Sequence, residues 1–256
     1  MPESPIDLSI GHNNVILACH ITGSYDVNRN NMLPADDYSL VREWAESVAK
    51  LGLKGIVFHN NFSDETCRLY QNKHVSFIKV QHNTAFNPNV YRYFIYQEFL
   101  NKYAHNIENV FFTDVSDVIV VINPFLEPLF TENNNTLFCG DEPEILENNW
   151  MKNHGSHLRN KISDYARFEE QFCQYTLLNC GIIGGNIKIM KPFTEQLWEI
   201  HNLHNHDNRT AYTGDMGAFN YLVRTRFNAQ LRHGQPVNTI FKAYQNDRAD
   251  CWFRHK

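Results

Sequence analysis

The sequence has no surplus of basic charge. Its 256 residues carry 23 lysines and arginines against 28 aspartates and glutamates, a formal net charge of -5. That argues against a nucleic-acid partner held by a broad basic surface. The six cysteines (Cys19, Cys67, Cys139, Cys173, Cys180, Cys251) form no C-x-x-C pair and no zinc-ribbon spacing, so no thiol-based metal site is expected. Most sit in apolar strings such as TLFCGD and LLNCGII, where a reduced thiol behaves as a small buried hydrophobe. No apolar run approaches the roughly 20 residues of a membrane span. MPESPIDLSIGHNN lacks the basic start and apolar stretch of a signal peptide. Three N-x-S/T sequons, beginning at Asn61, Asn134 and Asn208, matter only in a secretory lumen, for which nothing else argues. Repeats, low-complexity blocks and linkers are missing too. The expectation is a soluble cytoplasmic protein folded as one domain over residues 1–256.

What is present is a large core. Hydrophobic residues make up 43% of the chain and aromatics 13%, which excludes global disorder. NNVILACHI, KGIVFHN, HVSFIKV and NVFFTD read as buried strands. Between them, Val41, Trp44, Val48 and Leu51 mark one helix, opened by Asp36 or Asp37 and stopped near Gly52. Tyr96, Phe99, Leu100 and Tyr103 mark another. This alternation predicts an α/β fold with a mostly parallel sheet flanked by helices. The second half is more mixed: TLFCGD and CGIIGGNIKIM read as strands, a helix is expected from Pro192 to about His204, and another starts near Asp215.

The chemistry concentrates in NVFFTDVSDVIVVINPF, where Asp114 and Asp117 interrupt a run of apolar β-formers. Carboxylates beside a buried strand are costly unless something compensates them. Ligands of open α/β sheets bind outside strand carboxyl ends, and hard oxygen donors there suit Mg²⁺ or Mn²⁺ carrying phosphates. Residues three apart do not share a face of a strand, so convergence of both aspartates requires a turn at Val115-Ser116. The plainer reading is a solvated turn with Asp117 capping local amides.

The segment resembles the acidic motif of nucleotide-sugar-dependent glycosyltransferases of the GT-A fold, which follows the fourth strand of a Rossmann-like sheet. The usual form is D-x-D and here it is D-x-x-D. The resemblance implies a divalent cation, Mn²⁺ or Mg²⁺, on the donor diphosphate, with Asp117 as metal ligand and Asp114 on metal or ribose. Other segments match in order. ITGSYDVNRNN follows the first strand, where such enzymes hold the nucleoside, making Thr22, Tyr25, Asp26 and Arg29 donor-binding candidates. NPNVYRYFIYQEFL resembles an Asn/Asp-x-x-Arg-Tyr/Phe segment and offers Arg92 to the diphosphate or sugar; a surface ion pair is the plain alternative. LLNCGIIGGNIKIMKPF resembles an N-x-G-x-x-G-G strand on the sugar side, with Asn179, Gly184 and Gly185 as contacts; a glycine-rich bulge is its alternative. TGDMGAFNYLV implies Asp215 as an acidic catalytic residue, and a plain helix cap competes with that. His233 is the implied C-terminal histidine of the metal shell, while HNLHNH (His201, His204, His206) reads as a solvated helix end.

The resemblance thus implies a nucleotide-binding half over about 12–125 and a sugar- and acceptor-facing half over about 126–256. The implied activity moves a sugar from a nucleotide sugar, UDP being the commonest nucleotide in metal-dependent members, to a hydroxyl of a carbohydrate acceptor. An inverting enzyme of this kind needs a base, from Asp215 or from Asp141, Glu142 or Glu144 in GDEPEILE. The competing readings are a sugar nucleotidyltransferase, for which HITGSYDVNR is poor in glycine and cations, and a non-catalytic carbohydrate-binding protein.

Overall fold

The computed structural model describes residues 6–23, 25–26, 31–205 and 214–256. In chain order, β1 (Asn14–His20) leads through an antiparallel pair, β2 (Tyr25–Asp26) and β3 (Asn31–Met32), to α1 (Ser39–Lys50). β4 (Lys54–His59), α2 (Asp64–Tyr70), β5 (Val75–Lys79), α3 (Pro88–Tyr103) and β6 (Asn109–Thr113) continue the alternation. Then come β7 (Val118–Val120), α4 (Pro128–Thr131), β8 (Leu137–Ile145), α5 (Asn149–His154), α6 (Ser156–Arg159) and α7 (Tyr165–Phe172). β9 (Thr176–Asn186), α8 (Ile187–His204), α9 (Asp215–Leu222), β10 (Leu231–His233) and β11 (Phe253–His255) complete the chain.

Seven strands form the central sheet in the order β10-β8-β9-β6-β1-β4-β5. β9 runs antiparallel to both its neighbours and every other pairing is parallel. Alternation along β1 feeds two cores: Val15 and Leu17 join one, with residues of α3, α8 and α9, while Ile16 and Ala18 join the other, with Val41, Trp44 and Val48 of α1. Burial on both faces is what makes these strands near-continuous apolar runs. Among the described residues, no helix is long and apolar enough to cross a membrane.

Helix α1 starts just after Asp37, whose Oδ1 accepts from the Ser39 amide at 2.8 Å, and gives way to Gly52 at φ +70°. It also braces the acidic segment from both sides. Trp44 Nε1 donates to Thr113 Oγ1 at 2.7 Å, and Ser47 Oγ accepts from the Val120 amide at 3.1 Å.

Two expectations need correction. The helix expected from Pro192 begins at Ile187, because Asn186 Oδ1 caps it by accepting from the Lys188 amide at 3.1 Å. Pro192 is therefore internal and removes only the bond to Lys188. The helix end is not solvated at His201, which is fully buried, stacks on Tyr93 at 5.4 Å and accepts from Asn205 Nδ2 at 2.7 Å through Nδ1. His204 ends α8 and His206 lies outside the described residues.

Burial depresses His201 to about 3 and His59 to about 4. His59 Nδ1 likewise accepts a bond, from the Phe62 amide at 3.1 Å, so protonating that nitrogen breaks it. Both rings stay neutral in the folded chain while their unfolded counterparts take up protons below the ordinary value of 6.5. The unfolded state then binds more protons, and stability falls as pH drops from 6.5 toward about 4. The expected slope is about 1.4 kcal/mol per pH unit for each such histidine. Urea midpoints across that interval check this; a flat midpoint contradicts it.

Candidate metal and donor site

β6 ends at Thr113, and residues 115–117 form a bend before β7 opens at Val118. The turn required at Val115-Ser116 is there. It lets Asp114 and Asp117 converge although they are three residues apart. The third member of the cluster is His255: one ligand atom from each of Asp114, Asp117 and His255 lies within 4.8 Å of the others. β11 delivers it by pairing antiparallel with β7, His255 opposite Val118, and the Lys256 amide donates to Asp117 O at 2.9 Å.

His255 is 2% exposed, and neither ring nitrogen has a hydrogen-bond partner among the described residues. Its Nε2 lies 3.9 Å from Asp117 Oδ2. Burial pushes its pKa down to about 4 against the opposing pull of Asp114. A neutral imidazole with bare nitrogens beside two carboxylates is a donor set that could hold a divalent metal ion.

Gly181 forms the wall. Between the register pairs Cys139 with Ile183 and Gly140 with Asn179, strand β9 carries Cys180, Gly181 and Ile182 as extra residues, a bulge that turns Gly181 toward the cluster. A Cβ on Gly181 would lie 2.6 Å from His255 Cε1, 2.8 Å from Asp114 Oδ2 and 2.9 Å from Asn179 Oδ1. Its amide donates to Asn179 Oδ1 at 2.7 Å and its carbonyl accepts from the Asp114 amide at 2.8 Å. Asn179 Nδ2 donates onward to Glu142 Oε1 at 2.8 Å. Burial raises the Glu142 pKa, with Asn179 pulling the other way.

On the opposite side stands Arg92, buried on α3. Its Nη1 pairs with Asp114 Oδ1, and Nη2 lies 3.9 Å from Asp215 Oδ2 and donates to Tyr93 Oη at 3.3 Å. Asp215 is 7% exposed. It opens α9 but is not its cap, since Gly214 holds that position at φ +70°. A side chain on Gly214 would meet His157 Cε1 at 2.3 Å, so the turn that presents Asp215 requires glycine. His154 Nδ1 sits 3.9 Å from Asp215 Oδ1.

The structure therefore gathers Asp114, Asp117, Arg92, Asn179 and Asp215 in one place, and the other described residues named from the sequence make different contacts. His233 belongs to a different pair, its Nδ1 lying 2.8 Å from Asp141 Oδ2. Gly184 and Gly185 are packing positions: a Cβ on Gly184 would fall 2.1 Å from Phe111 Cδ1, and one on Gly185 2.6 Å from the Thr136 carbonyl. Thr22 is buried and bound, its amide donating to Asn60 Oδ1 and its Oγ1 accepting from Asn61 Nδ2, both at 2.9 Å. Arg29 and the side chains of Tyr25 and Asp26 lie outside the described residues. Sequence reasoning missed His255 and the Asn179–Glu142 bridge, and it grouped Gly181 with Gly184 and Gly185 as positions of close approach; the only local signal for His255 was the apolar WF pair ahead of it.

No protein-family model matches the sequence, and no curated protein does. The solved structure of the galactosyltransferase LgtC, in complex with donor and acceptor sugar analogs, aligns over 94% of this chain and 86% of that one. Its identity is 13% and its TM-score 0.52. A glycosyltransferase involved in the glycosylation of the major capsid of PBCV-1 aligns over 94% of this chain and 92% of that chain, with 16% identity and a TM-score of 0.48. With a mostly parallel seven-stranded sheet, one antiparallel strand and an acidic cluster after β6, this chain has the GT-A fold.

Proposed function

We propose that this protein is a metal-dependent glycosyltransferase that moves a sugar from a nucleotide-sugar donor, preferably a UDP-sugar, to a hydroxyl of a carbohydrate acceptor. The observation that carries the reading is the Asp114–Asp117–His255 cluster after β6 on a GT-A sheet, where an open α/β sheet binds its ligand. Asp114, Asp117 and His255 would hold Mn²⁺ or Mg²⁺, which would supply Lewis-acid stabilisation to the departing diphosphate.

The remaining roles belong to the chain. Asp114 divides its oxygens, Oδ1 to Arg92 and Oδ2 toward Gly181 and His255, so Arg92 fixes how Asp114 presents itself. Asp215, held between Arg92 and His154, is the acidic group for the reacting sugar. Glu142, raised in pKa and fixed by Asn179, is a carboxylate able to accept the proton of an acceptor hydroxyl. Thr22 and its asparagines shape the loop at the end of β1, where Tyr25, Asp26 and Arg29 would meet the nucleoside.

A thermal-shift panel of nucleotide sugars with Mn²⁺ tests this. A donor at about 100 times its Kd should stabilise the fold by about 2.7 kcal/mol, a rise of a few degrees, and EDTA should remove the shift. Silence from every nucleotide sugar sinks the reading.

A further inference from the structure

Cys180 is 6% exposed on β9, the first of the three bulge residues that bring Gly181 to the metal cluster. Its amide donates to Met216 Sδ at 3.4 Å, so α9 holds the backbone of the bulge beside Asp215. Its carbonyl and its sulfur both face Arg92, accepting from Nη2 at 3.5 and 3.3 Å. None of the roles proposed above uses this thiol.

The sulfur closes a triangle. Arg92 Nη2 and Asp215 Oδ2 lie 3.9 Å apart, beyond hydrogen-bond reach. Cys180 Sγ is 3.3 Å from the first and 3.7 Å from the second, both within the longer reach of sulfur. The chemistry of the groups sets the directions. A guanidinium has no acceptor, so the sulfur accepts from Nη2; an ionised carboxylate has no donor, so the thiol proton goes to Oδ2. Burial and the Asp215 carboxylate push the thiol pKa well up, so that proton stays in place. The other oxygen of Asp215 faces His154 Nδ1 at 3.9 Å, and Arg92 is fixed through Nη1 by Asp114. The order Asp114, Arg92, Cys180, Asp215 thus runs from the metal cluster to the acid on α9.

We infer that Cys180 is a positioning residue: its thiol ties the Asp215 carboxylate to the Arg92 guanidinium and so fixes where the acidic group stands relative to the metal cluster. This rests on the glycosyltransferase reading above. A thiol suits the place because it serves both neighbours at distances that a hydroxyl, on its shorter bond to Cβ, does not span. It is no nucleophile, since a buried, protonated thiol is inert.

Two measurements decide it. The first needs neither substrate nor metal: the infrared S–H stretch of Cys180, identified as the band lost in Cys180→Ala. A thiol that donates to a carboxylate absorbs at lower frequency than one with a weaker acceptor, so Asp215→Asn should move the band upward. A band that stays in place in Asp215→Asn overturns the inference. The second is kinetic, under conditions where urea melts show each variant fully folded. Cys180→Ala should lower kcat about tenfold or more while Mn²⁺ affinity and donor KM stay within about twofold, and Cys180→Ser should fall between. In an Asp215→Asn background the same change should cost less than about twofold, because the group it positions is already gone. An unchanged kcat in Cys180→Ala, a matching loss of Mn²⁺ affinity, or equal losses in both backgrounds overturns the inference. If no nucleotide sugar is turned over, the glycosyltransferase reading falls, and the infrared band alone decides whether the sulfur makes the link.

Discussion

Asp117→Ala is expected to lower metal-dependent turnover on the order of 10³-fold while the protein stays folded, because loss of a ligand to a charge-stabilising ion forfeits several kcal/mol of transition-state stabilisation. The fold should survive because Asp117 lies in the bend between two strands and its side chain is 34% exposed. The bracing comes from elsewhere: Trp44 holds Thr113, Ser47 holds Val120, and the Lys256 amide binds the Asp117 backbone carbonyl, which the substitution keeps. The companion comparison separates two histidines. His255→Ala should weaken Mn²⁺ binding by at least about tenfold, whereas His233→Ala, whose ring is engaged with Asp141, should leave it within about twofold. Calorimetric titration of Mn²⁺ into each variant reads this directly. If His233→Ala loses the metal and His255→Ala keeps it, the cluster is misassigned.

The contrast between those histidines shows what could be read before the structure. Strands β1, β4 and β6 were legible because each is buried on both faces, so its apolar run needs no partner to be recognised. Asp114 and Asp117 stood out for the same reason, as carboxylates where the surrounding run demanded hydrophobes, and their three-residue spacing forced the bend. His255 was invisible because its place depends on β11 pairing with β7 across most of the chain. With 13 histidines in the sequence, no local pattern selects one. The glycines failed differently. Gly181, Gly184 and Gly185 look alike in CGIIGGN, and only the bulge at Cys180 to Ile182 decides that Gly181 faces the cluster while Gly184 receives the Phe111 ring. Register is a property of two strands, and one strand's sequence does not contain it.

Arg92→Met should destabilise the apo protein by about 3 kcal/mol, because breaking a buried ion pair leaves a carboxylate without its counter-charge. The figure is set at the low end because the Asp114 side chain is 31% exposed and water can partly compensate it. Asp215 is the more exacting neighbour: at 10% side-chain exposure, with Arg92 at 3.9 Å, it loses charge compensation at the same stroke. The double variant Arg92→Met with Asp114→Asn should recover part of the lost stability, since a neutral amide needs no guanidinium, with a coupling energy of about 1–2 kcal/mol. Turnover should not follow stability. Arg92→Met is expected to lose on the order of 10²-fold from the disorientation of Asp114, and the double variant should stay inactive because it also lacks a metal-binding carboxylate. Urea melts in EDTA supply the stability cycle, and initial rates with Mn²⁺ supply the activity. Activity returning together with stability would mean that Arg92 only holds the fold. A loss of activity in Arg92→Met alone, measured where that variant is still fully folded and accompanied by weaker Mn²⁺ binding, places Arg92 in the positioning of Asp114, where its guanidinium spans the metal cluster and the acid at the start of α9.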